Sequence, residues 1–371
     1  MSESTPIQWC DTTVNPVMGC SASCELRPTP GKLRDVTKHF FSKEFADVKR
    51  AEIDAVIVNE MADYNASEIF QLREEIVVGA SDALLGTRLP PKKLEALLKK
   101  FKCVLDEHFI CYAHQLHLRR GKNSANPYNT PNRGFAPQFE QVTKFPGRMA
   151  KAASLTDLFG KVREDKPWLN FLPRTLFVSD MADALSEEID FEYLRKEIVD
   201  VAASAHGRRH VWLWLTKMPK RMAEFGNWLG KASVKWPDNL VVMTSVTSGK
   251  TLVRAEQLKG VPARFEGLSV EPLWEGVSIP LDGIHWCIVG GQSGVGPKPF
   301  DLAWAKSLRE QCRASGTAFF VKQLGAKPVE NGVAALKLED EHGGNWNEWP
   351  AEMRVREMPS GFRSIRFAAM R

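Results

Sequence analysis

Two cysteines near the amino terminus, Cys20 and Cys24, have the spacing of metal ligands. Three residues separate them, in a loop that contains Gly and Ser and shows no apolar period, so core packing does not account for them. A flexible loop of this kind can wrap thiolates around one soft metal centre. Two thiolates do not complete a metal site, and we take Cys111, in the segment HFICYA, as the third ligand.

This spacing leaves the type of metal open. An iron–sulfur cluster is one choice. Zinc with four protein ligands is the other, and it would draw on His108, Cys103 or Cys10 in addition. Cys103 lies eight residues before Cys111 on a predicted helix, so it also competes for the place of third ligand.

Other candidate residues follow short apolar segments that are typical of buried strands. Of six candidate strands, several are apolar at nearly every position, as strands buried on both faces of a parallel sheet are. They alternate with helical patterns at 189–204, 219–230, 251–259 and 302–315, which indicates βαβ units. With one more strand near 8–13, the sequence predicts an α/β fold with a partial or complete (β/α) barrel; a doubly wound open sheet is the alternative. The six segments are 175–179, 210–216, 240–246, 265–270, 284–290 and 318–322.

Polar residues follow these predicted strands, at the place where a parallel barrel binds its ligands. If the barrel is correct, they converge on one rim. Simpler explanations exist, because acids can cap helices, a lysine can be a solvated helix start, and glycines can form a tight turn. In chain order the residues are Asp180, Asp183, Lys217, Glu271, Gly290, Gly291, Gln292, Lys322 and Gln323.

Residues 25–110 differ from the rest of the chain. They contain few strand-like segments and several apolar repeats at three- and four-residue spacing, which is a helical pattern. We therefore predict that 1–24 and 111–371 form the barrel and that 25–110 form a mostly helical insertion. Such an insertion could cap the barrel mouth, bind a partner protein or mediate dimerisation.

Composition favours a globular protein that is not anchored in a membrane. Of the 371 residues, 43% are hydrophobic and 26% are charged, and no run of 18 apolar residues occurs. The start of the chain lacks a signal-peptide pattern, so we expect a cytoplasmic protein.

An odd number of cysteines, 7, disfavours a disulfide framework in such a protein. Cys287 and Cys312 lie in apolar patterns and are predicted core residues.

The charge pattern permits a nucleic-acid partner without requiring one. The net charge is +5. A basic cluster of His117, Arg119, Arg120 and Lys122 follows Cys111 and could contact phosphates. A solvated helix end is the alternative explanation of this cluster.

A series of motifs in fixed order resembles one known family. The amino-terminal motif comprises Trp9, Asp11, Asn15-Pro16 and Gly19-Cys20, and it is followed by Cys24 and by Cys111-Tyr112-Ala113. The chain resembles the phage- and mobile-element-associated family of unknown function that carries a three-cysteine motif. That family is similar to a divergent branch of the radical S-adenosylmethionine barrels. The resemblance covers nearly everything outside about 25–110, with further matching segments at 176–183, 214–222, 268–273, 288–299, 319–325 and 343–350.

The resemblance implies a 4Fe–4S cluster held by Cys20, Cys24 and Cys111, with the fourth iron open to S-adenosylmethionine. This sequence departs from the family pattern in two places. Its cysteine motif is split by the insertion, with His108 at the position of the usual C-x2-C partner, and Gln292 replaces a glutamate.

The remaining roles, contacts with the cofactor and with the substrate, are assigned to residues by their positions at the strand ends. Glycines 290 and 291 would let the backbone lie near the adenosyl moiety. Asp180 and Glu271 would bond to ribose hydroxyls or the amino group, and Gln292 belongs to the same cofactor-binding turn. Substrate contacts are expected from Lys217, Lys322 and Gln323.

We therefore expect a radical S-adenosylmethionine enzyme that modifies or repairs a nucleic acid or nucleotide. The alternative is a non-enzymatic barrel that binds zinc or nucleic acid. A third hypothesis, a metal-free hydrolase using Asp180, Asp183 and Glu271, is weaker because no nucleophile–base pair is visible.

Overall fold

The computed structural model describes residues 5–20, 24–26, 40, 111–114, 116–117, 135–137, 139, 141–293 and 297–365. The chain divides into two compact units, residues 1–18 with 142–371 and residues 19–141. The second unit contains all three candidate cysteine ligands together with the predicted insertion. Nearly all of that insertion lies outside the described residues, and its predicted helical character stays a prediction.

The first unit is built on a seven-stranded sheet in which every neighbouring pair of strands is parallel. The strand order is β1-β4-β5-β6-β7-β8-β10, and the sheet curls into half a barrel. The prediction of a partial barrel is confirmed. The order follows the sequence without the reversal that defines a doubly wound sheet, so that alternative is wrong. The strands are β1 Thr12–Val14, β4 Thr175–Val178, β5 Val211–Thr216, β6 Leu240–Ser245, β7 Glu266–Val270, β8 Trp286–Gly290 and β10 Ala318–Gln323.

Six of these strands lie within two residues of their predicted positions, and the first does not. Strand β1 begins at Thr12 instead of residue 8. The reason is that Trp9 and Cys10 turn into the apolar interior, where both are buried. Asp11 then forms a buried ion pair with Arg163, with Oδ1 2.7 Å from Nε. The apolar residues before β1 therefore fill the core instead of extending the strand.

Smaller sheets and five helices complete the unit. The helix α5 follows Asp301, whose side chain accepts a hydrogen bond from the Ala303 amide at 2.9 Å, and it ends at Gly316 with φ 73°. These are standard start and stop signals. The small strands are β2 Val17–Met18, β3 Thr143–Lys144, β9 Phe300–Asp301, β11 Pro328–Glu330 and β12 Val333–Ala334. The helices are α1 Arg148–Ala153, α2 (Phe191–Leu194, a π turn at Arg195–Val199, and Asp200–Ala203), α3 Pro219–Lys231, α4 Val253–Leu258 and α5 Leu302–Ser315. Short 3-10 helices lie at Pro167–Leu169, Gly207–Arg209, Gly249–Thr251, Trp346–Glu348, Ala351–Met353 and Ser360–Ser364.

The two faces of the sheet bury separate apolar clusters. Alternate residues of each strand, such as Trp212 and Trp214 of β5, face the cluster that contains the helices. The intervening residues face an inner cluster that contains no residue of α1–α5. Burial on both faces explains why these strands are apolar at nearly every position. Cys287 and Cys312 are fully buried in the outer cluster, which confirms them as core residues.

The inner cluster is largely aromatic. The ring of Trp9 lies 4.5 Å from Phe177 on β4 and 6.1 Å from Trp286 on β8, measured between centroids. Trp9 therefore crosses the interior and joins strands that are far apart in the sheet. Within the described residues, no helix has the length and apolarity needed to cross a membrane.

Arg356 links the two edges of the sheet. Its Nε donates to the Val321 carbonyl and one Nη to the Lys322 carbonyl, both on β10, while the other Nη donates to Gln8 Oε1 ahead of β1, each at 3.1 Å. Among the described residues, β1 and β10 themselves form no pair. Burial lowers the pKa of this guanidinium to about 10, so it remains charged at neutral pH. The surrounding rings, 4.2 to 5.6 Å from the guanidinium carbon, are Trp168, Phe320, Trp346 and Trp349.

Replacing this arginine should weaken the whole unit. We expect Arg356→Ala to lower the free energy of unfolding by about 2–4 kcal/mol, because buried carbonyls lose a charged donor and the rings lose their packing partner. Urea denaturation followed by circular dichroism measures this. Arg313→Ala is the control, since that side chain is 80% exposed and its loss should cost under about 0.5 kcal/mol. Equal effects of the two substitutions would contradict the bridging role.

Glu266, the first residue of β7, makes stability depend on pH. Its Oε2 is buried and has no hydrogen-bond partner in the described part of the chain. Burial raises the pKa of this carboxyl to about 7, against the opposing effect of Lys259. The folded protein therefore holds a proton that the unfolded chain has already released above its ordinary value of 4.5. This stabilising contribution is complete below that ordinary value and is lost as pH rises through about 7.

We expect Glu266→Gln to remove this pH dependence. Relative to the variant, the wild-type protein should lose about 1–2 kcal/mol of unfolding free energy between pH 5 and pH 8. Urea midpoints measured across that range test the expectation. Parallel pH profiles for the two proteins would show that the carboxyl is solvated in the folded state.

Candidate functional site

The carboxyl ends of the parallel strands place the predicted rim residues along one edge of the sheet. The register sets Gly290 of β8 beside Gln323 of β10, and Ser269 of β7 beside Ser245 of β6. Residues that directly follow a strand continue along the same edge. Predicted site residues from distant parts of the sequence are thus close to one another because all seven strands run the same way.

Glu271 and Lys322 form an ion pair at this edge. Lys322 Nζ lies 2.6 Å from one carboxylate oxygen and 2.8 Å from the other. The side chains are 15% and 22% exposed, so the pair is largely withdrawn from water and still reachable. Predicted separately as a cofactor contact and a substrate contact, the two residues form a single unit. An approaching ligand therefore meets both charges together.

The glycines after β8 permit close packing between neighbouring strand ends. A Cβ at Gly290 would lie 3.3 Å from Cγ of Glu271, and a Cβ at Gly291 would lie 2.2 Å from the carbonyl oxygen of Leu324. Gln323 donates from Nε2 to the Gly291 carbonyl at 3.1 Å. The close approach at Gly291 is thus to the protein backbone, whereas Gly290 keeps the space beside the Glu271 carboxylate open.

Asn15, directly after β1, positions the loop that follows β4. Its Nδ2 donates to Asp180 Oδ1 at 2.5 Å, and its Oδ1 accepts from the Met181 amide at 3.0 Å. Asn15 is buried and so holds the Asp180 carboxylate in place. Sequence reasoning gave Asn15 no site role, although the Asn-Pro pair of the amino-terminal motif was the available signal.

Ser179, between β4 and Asp180, is a second residue that sequence reasoning missed. Its φ is 70°, in the left-handed region that a residue with a side chain rarely adopts. It is 5% exposed, and within the described residues its hydroxyl has no hydrogen-bond partner. A buried hydroxyl without a partner is costly. The hydroxyl without a partner and the strained backbone make this strand end a candidate position for ligand binding.

Asp183 and Lys217 have a structural connection. The Asp183 carboxylate accepts from Thr216 Oγ1 and from the Lys217 amide, both at 2.8 Å, and from the Leu185 amide at 3.1 Å. These bonds join the loop after β4 to the end of β5. Because its oxygens are held by these three donors, Asp183 is a poor candidate for the acid–base residue of a hydrolase.

Gln292 orients a tryptophan on the same edge. Its Oε1 accepts from Nε1 of Trp274 at 3.2 Å, and Gln292 itself is buried. The ammonium of Lys298 lies over the Trp274 ring, 4.1 Å from the centroid. The predicted cofactor residue Gln292 is thus part of an aromatic and cationic group whose other two members were not predicted.

Beneath the edge, Cys10 is fully buried in the inner cluster. Burial raises the pKa of its thiol, and among the nearby charges Asp180 raises it further while Lys322 lowers it. A thiol that keeps its proton is a poor metal ligand, which argues against Cys10 as a zinc ligand.

The second unit contains Cys20, Cys24 and Cys111. All three are partly buried and stand outside disulfides. Gly19 precedes Cys20 with φ 84°, and a Cβ there would lie 2.6 Å from the Phe139 carbonyl oxygen. The Cys20 amide donates to that same carbonyl at 2.6 Å. Only glycine fits at position 19, which explains the Gly-Cys pair of the amino-terminal motif.

The chemical type of these donors fits an iron–sulfur cluster. Three thiols outside disulfides, partly exposed and within one compact unit, are the ligands that soft metals take. Cys20, Cys24 and Cys111 are all among the described residues, and within those residues no three or more His, Cys, Asp or Glu side chains, these cysteines included, are arranged around a single metal position. The competing ligands Cys103 and His108 lie outside those residues. Cluster binding by Cys20, Cys24 and Cys111 stays a prediction.

The basic cluster after Cys111 is only partly described. His117 is buried, with its ring 5.7 Å from Phe139 and 6.0 Å from Phe135 between centroids. It therefore belongs to an aromatic core and not to an exposed phosphate-binding surface. Residues 119, 120 and 122 lie outside the described residues.

Fold and site define an α/β protein with a parallel half-barrel that presents a charged edge. The family described as "Protein of unknown function (DUF5131)" matches residues 107–350, more than half of the chain. The chain belongs to this family. No curated protein matches it, and neither does any solved structure.

The Glu271–Lys322 pair should contribute coupled stability. We expect a double-mutant cycle with Glu271→Gln and Lys322→Met to give a coupling energy of about 1–3 kcal/mol, since each single variant leaves one charge withdrawn from water. Urea unfolding measures it. The surface pair Lys306–Glu330, with 38% and 47% exposed side chains, is the control and should couple by less than about 1 kcal/mol. Similar coupling in both pairs would contradict the partly buried character of the first.

Proposed function

We propose that this protein is a radical S-adenosylmethionine enzyme acting on a nucleic acid or nucleotide. Cys20, Cys24 and Cys111 would hold a 4Fe–4S cluster, and the carboxyl edge of the sheet would bind S-adenosylmethionine and the substrate. The observation that carries the proposal is the meeting of separate motifs at one edge of a parallel half-barrel.

The residues of this edge suit a cofactor that carries both an amino acid and a ribose. Each oxygen of Glu271 can accept a further hydrogen bond while it holds Lys322, so the carboxylate can take a ribose hydroxyl or an ammonium group. Asn15 fixes the direction of the Asp180 carboxylate, which makes Asn15 a positioning residue. The hydroxyl of Ser179 supplies a further group for a polar ligand.

The interior of the half-barrel suits chemistry that must be kept from water. When bound, the cluster would supply the electron that cleaves the sulfonium and releases a 5′-deoxyadenosyl radical. Trp9, Phe177 and Trp286 pack against one another in the inner cluster and make this interior largely apolar. Arg356 blocks the lateral gap between β1 and β10.

Anaerobic reconstitution with iron and sulfide tests the proposal. We expect about four irons per chain in the wild-type protein and loss of the cluster in Cys20→Ala, because three thiolates are needed to retain it. Cys312→Ala is the matched control, since that cysteine is buried beside Cys287 and should not affect iron content. The reduced wild-type protein should also convert S-adenosylmethionine to 5′-deoxyadenosine, measured by chromatography.

Other results of the reconstitution would lead to different conclusions. A wild-type protein that takes up no iron, or that takes up zinc instead, would contradict the enzyme proposal and support the non-enzymatic alternative. Equal loss of iron in Cys20→Ala and Cys312→Ala would indicate general destabilisation instead of ligand loss. The circular dichroism spectra of the two variants separate that outcome from a specific effect.

A further inference from the structure

The indole of Trp274 is held as a half-exposed platform at the carboxyl edge. Its backbone amide donates to the Thr247 carbonyl at 3.1 Å, and its Nε1 donates to the buried Gln292 at 3.2 Å. Both ends of the residue are therefore fixed. The exposed Lys298 sets its ammonium 4.1 Å from the ring centroid. The face of the ring attracts a cation and is accessible to a flat partner of similar size.

Basic residues also follow β6, close in sequence to Thr247, whose carbonyl accepts from the Trp274 amide. Lys250 follows β6 in the 3-10 helix Gly249–Thr251 and is exposed, and Arg254 Nη1 donates to the Ser245 carbonyl at the end of that strand, at 3.2 Å. Among the nearby acids, Glu275 accepts from the Gly249 amide at 2.6 Å and Glu271 is paired with Lys322. Glu275 and Glu271 thus accept hydrogen bonds from the protein itself, whereas Lys250 and Lys298 face solvent. A positive edge of this kind attracts phosphate.

Gln292 keeps the platform free of added negative charge. The neutral amide orients Trp274 without placing an anion beside the surrounding lysines. A ring fixed in orientation and bordered by mobile ammonium groups is the arrangement that binds single-stranded nucleic acid, where a base stacks on the aromatic face and a phosphate takes the cation.

We propose that Trp274 and Lys298 form a binding site for single-stranded nucleic acid. One base stacks on the Trp274 indole, and the Lys298 ammonium leaves the ring to bind the adjoining phosphate. This inference deepens the proposed function, on which its substrate role rests, by naming the substrate contact. Binding itself requires neither cluster nor S-adenosylmethionine, so it can be measured on the protein without them.

Fluorescence anisotropy with a labelled 12-nucleotide strand of mixed sequence, as DNA and as RNA, provides the test. We expect Trp274→Ala to weaken binding about tenfold, the loss typical of one stacked base, and Trp274→Phe to stay within about threefold of wild type. We expect Lys298→Ala to reduce the slope of log affinity against log salt concentration by about 0.7, the value for one phosphate contact. Lys231→Ala, an exposed lysine at the end of α3, should leave the slope unchanged.

Three results would overturn the inference. They are absence of binding by the wild-type protein, equal affinity of wild type and Trp274→Ala, and equal salt slopes for Lys298→Ala and Lys231→Ala. Weaker binding of S-adenosylmethionine, but not of the strand, by Trp274→Ala would also overturn it, because the platform would then hold the adenine of the cofactor. The three strand-binding outcomes are independent of iron content, so failure there is distinct from failure of the enzyme proposal.

Discussion

A sheet whose seven strands all run parallel must be buried on both faces, and this requirement governs the first unit. Helices α1–α5 cover the outer face. In the part of the chain that the structure describes, the inner face has no layer of α-helices and is filled by its own aromatic side chains, by Trp9, and by segments outside the sheet. The same parallel direction brings every carboxyl end to one edge. Packing and site location thus have a common physical origin.

Charges at this edge are paired or hydrogen-bonded, because the apolar surroundings make an unpaired charge costly. The Glu271–Lys322 pair and the Asn15–Asp180 hydrogen bond lie above an interior that raises the pKa of the Cys10 thiol. In such surroundings an ion pair interacts more strongly than in water, and each unpaired charge is costly. Ligand binding at the edge would therefore rearrange existing polar contacts instead of filling an empty polar cavity.

Much of the fold follows from local sequence signals, because strands buried on both faces are continuous apolar segments with helical patterns between them. The six predicted strands after residue 170 illustrate this. The start of β1 does not follow, since Trp9 and Cys10 are as apolar as a strand yet fill the interior. Arg356 also could not be predicted, because its partners at Gln8 and Val321 are brought to it only by tertiary folding.

The candidate site, like the fold, could be predicted from the sequence only in part. Strand-end position identified Glu271, Lys322 and Gln323 on one edge, but their pairing depends on the register of β8 and β10 and on the space left by Gly290. Ser179 was missed because a left-handed φ at a serine has no sequence signature. In the sequence, Trp274 has the pattern of an ordinary apolar residue after a strand. Its hydrogen bond with Gln292 exists only in the folded chain.

The central claim is that three thiolates distant in sequence bind one cluster. Diffraction at the iron absorption edge, from crystals grown anaerobically after reconstitution, tests it most directly. The account predicts a single compact anomalous peak with Cys20, Cys24 and Cys111 as its protein ligands, each sulfur about 2.3 Å from an iron. An anomalous peak bound by other residues, or reconstituted crystals with no iron near these cysteines, would contradict it.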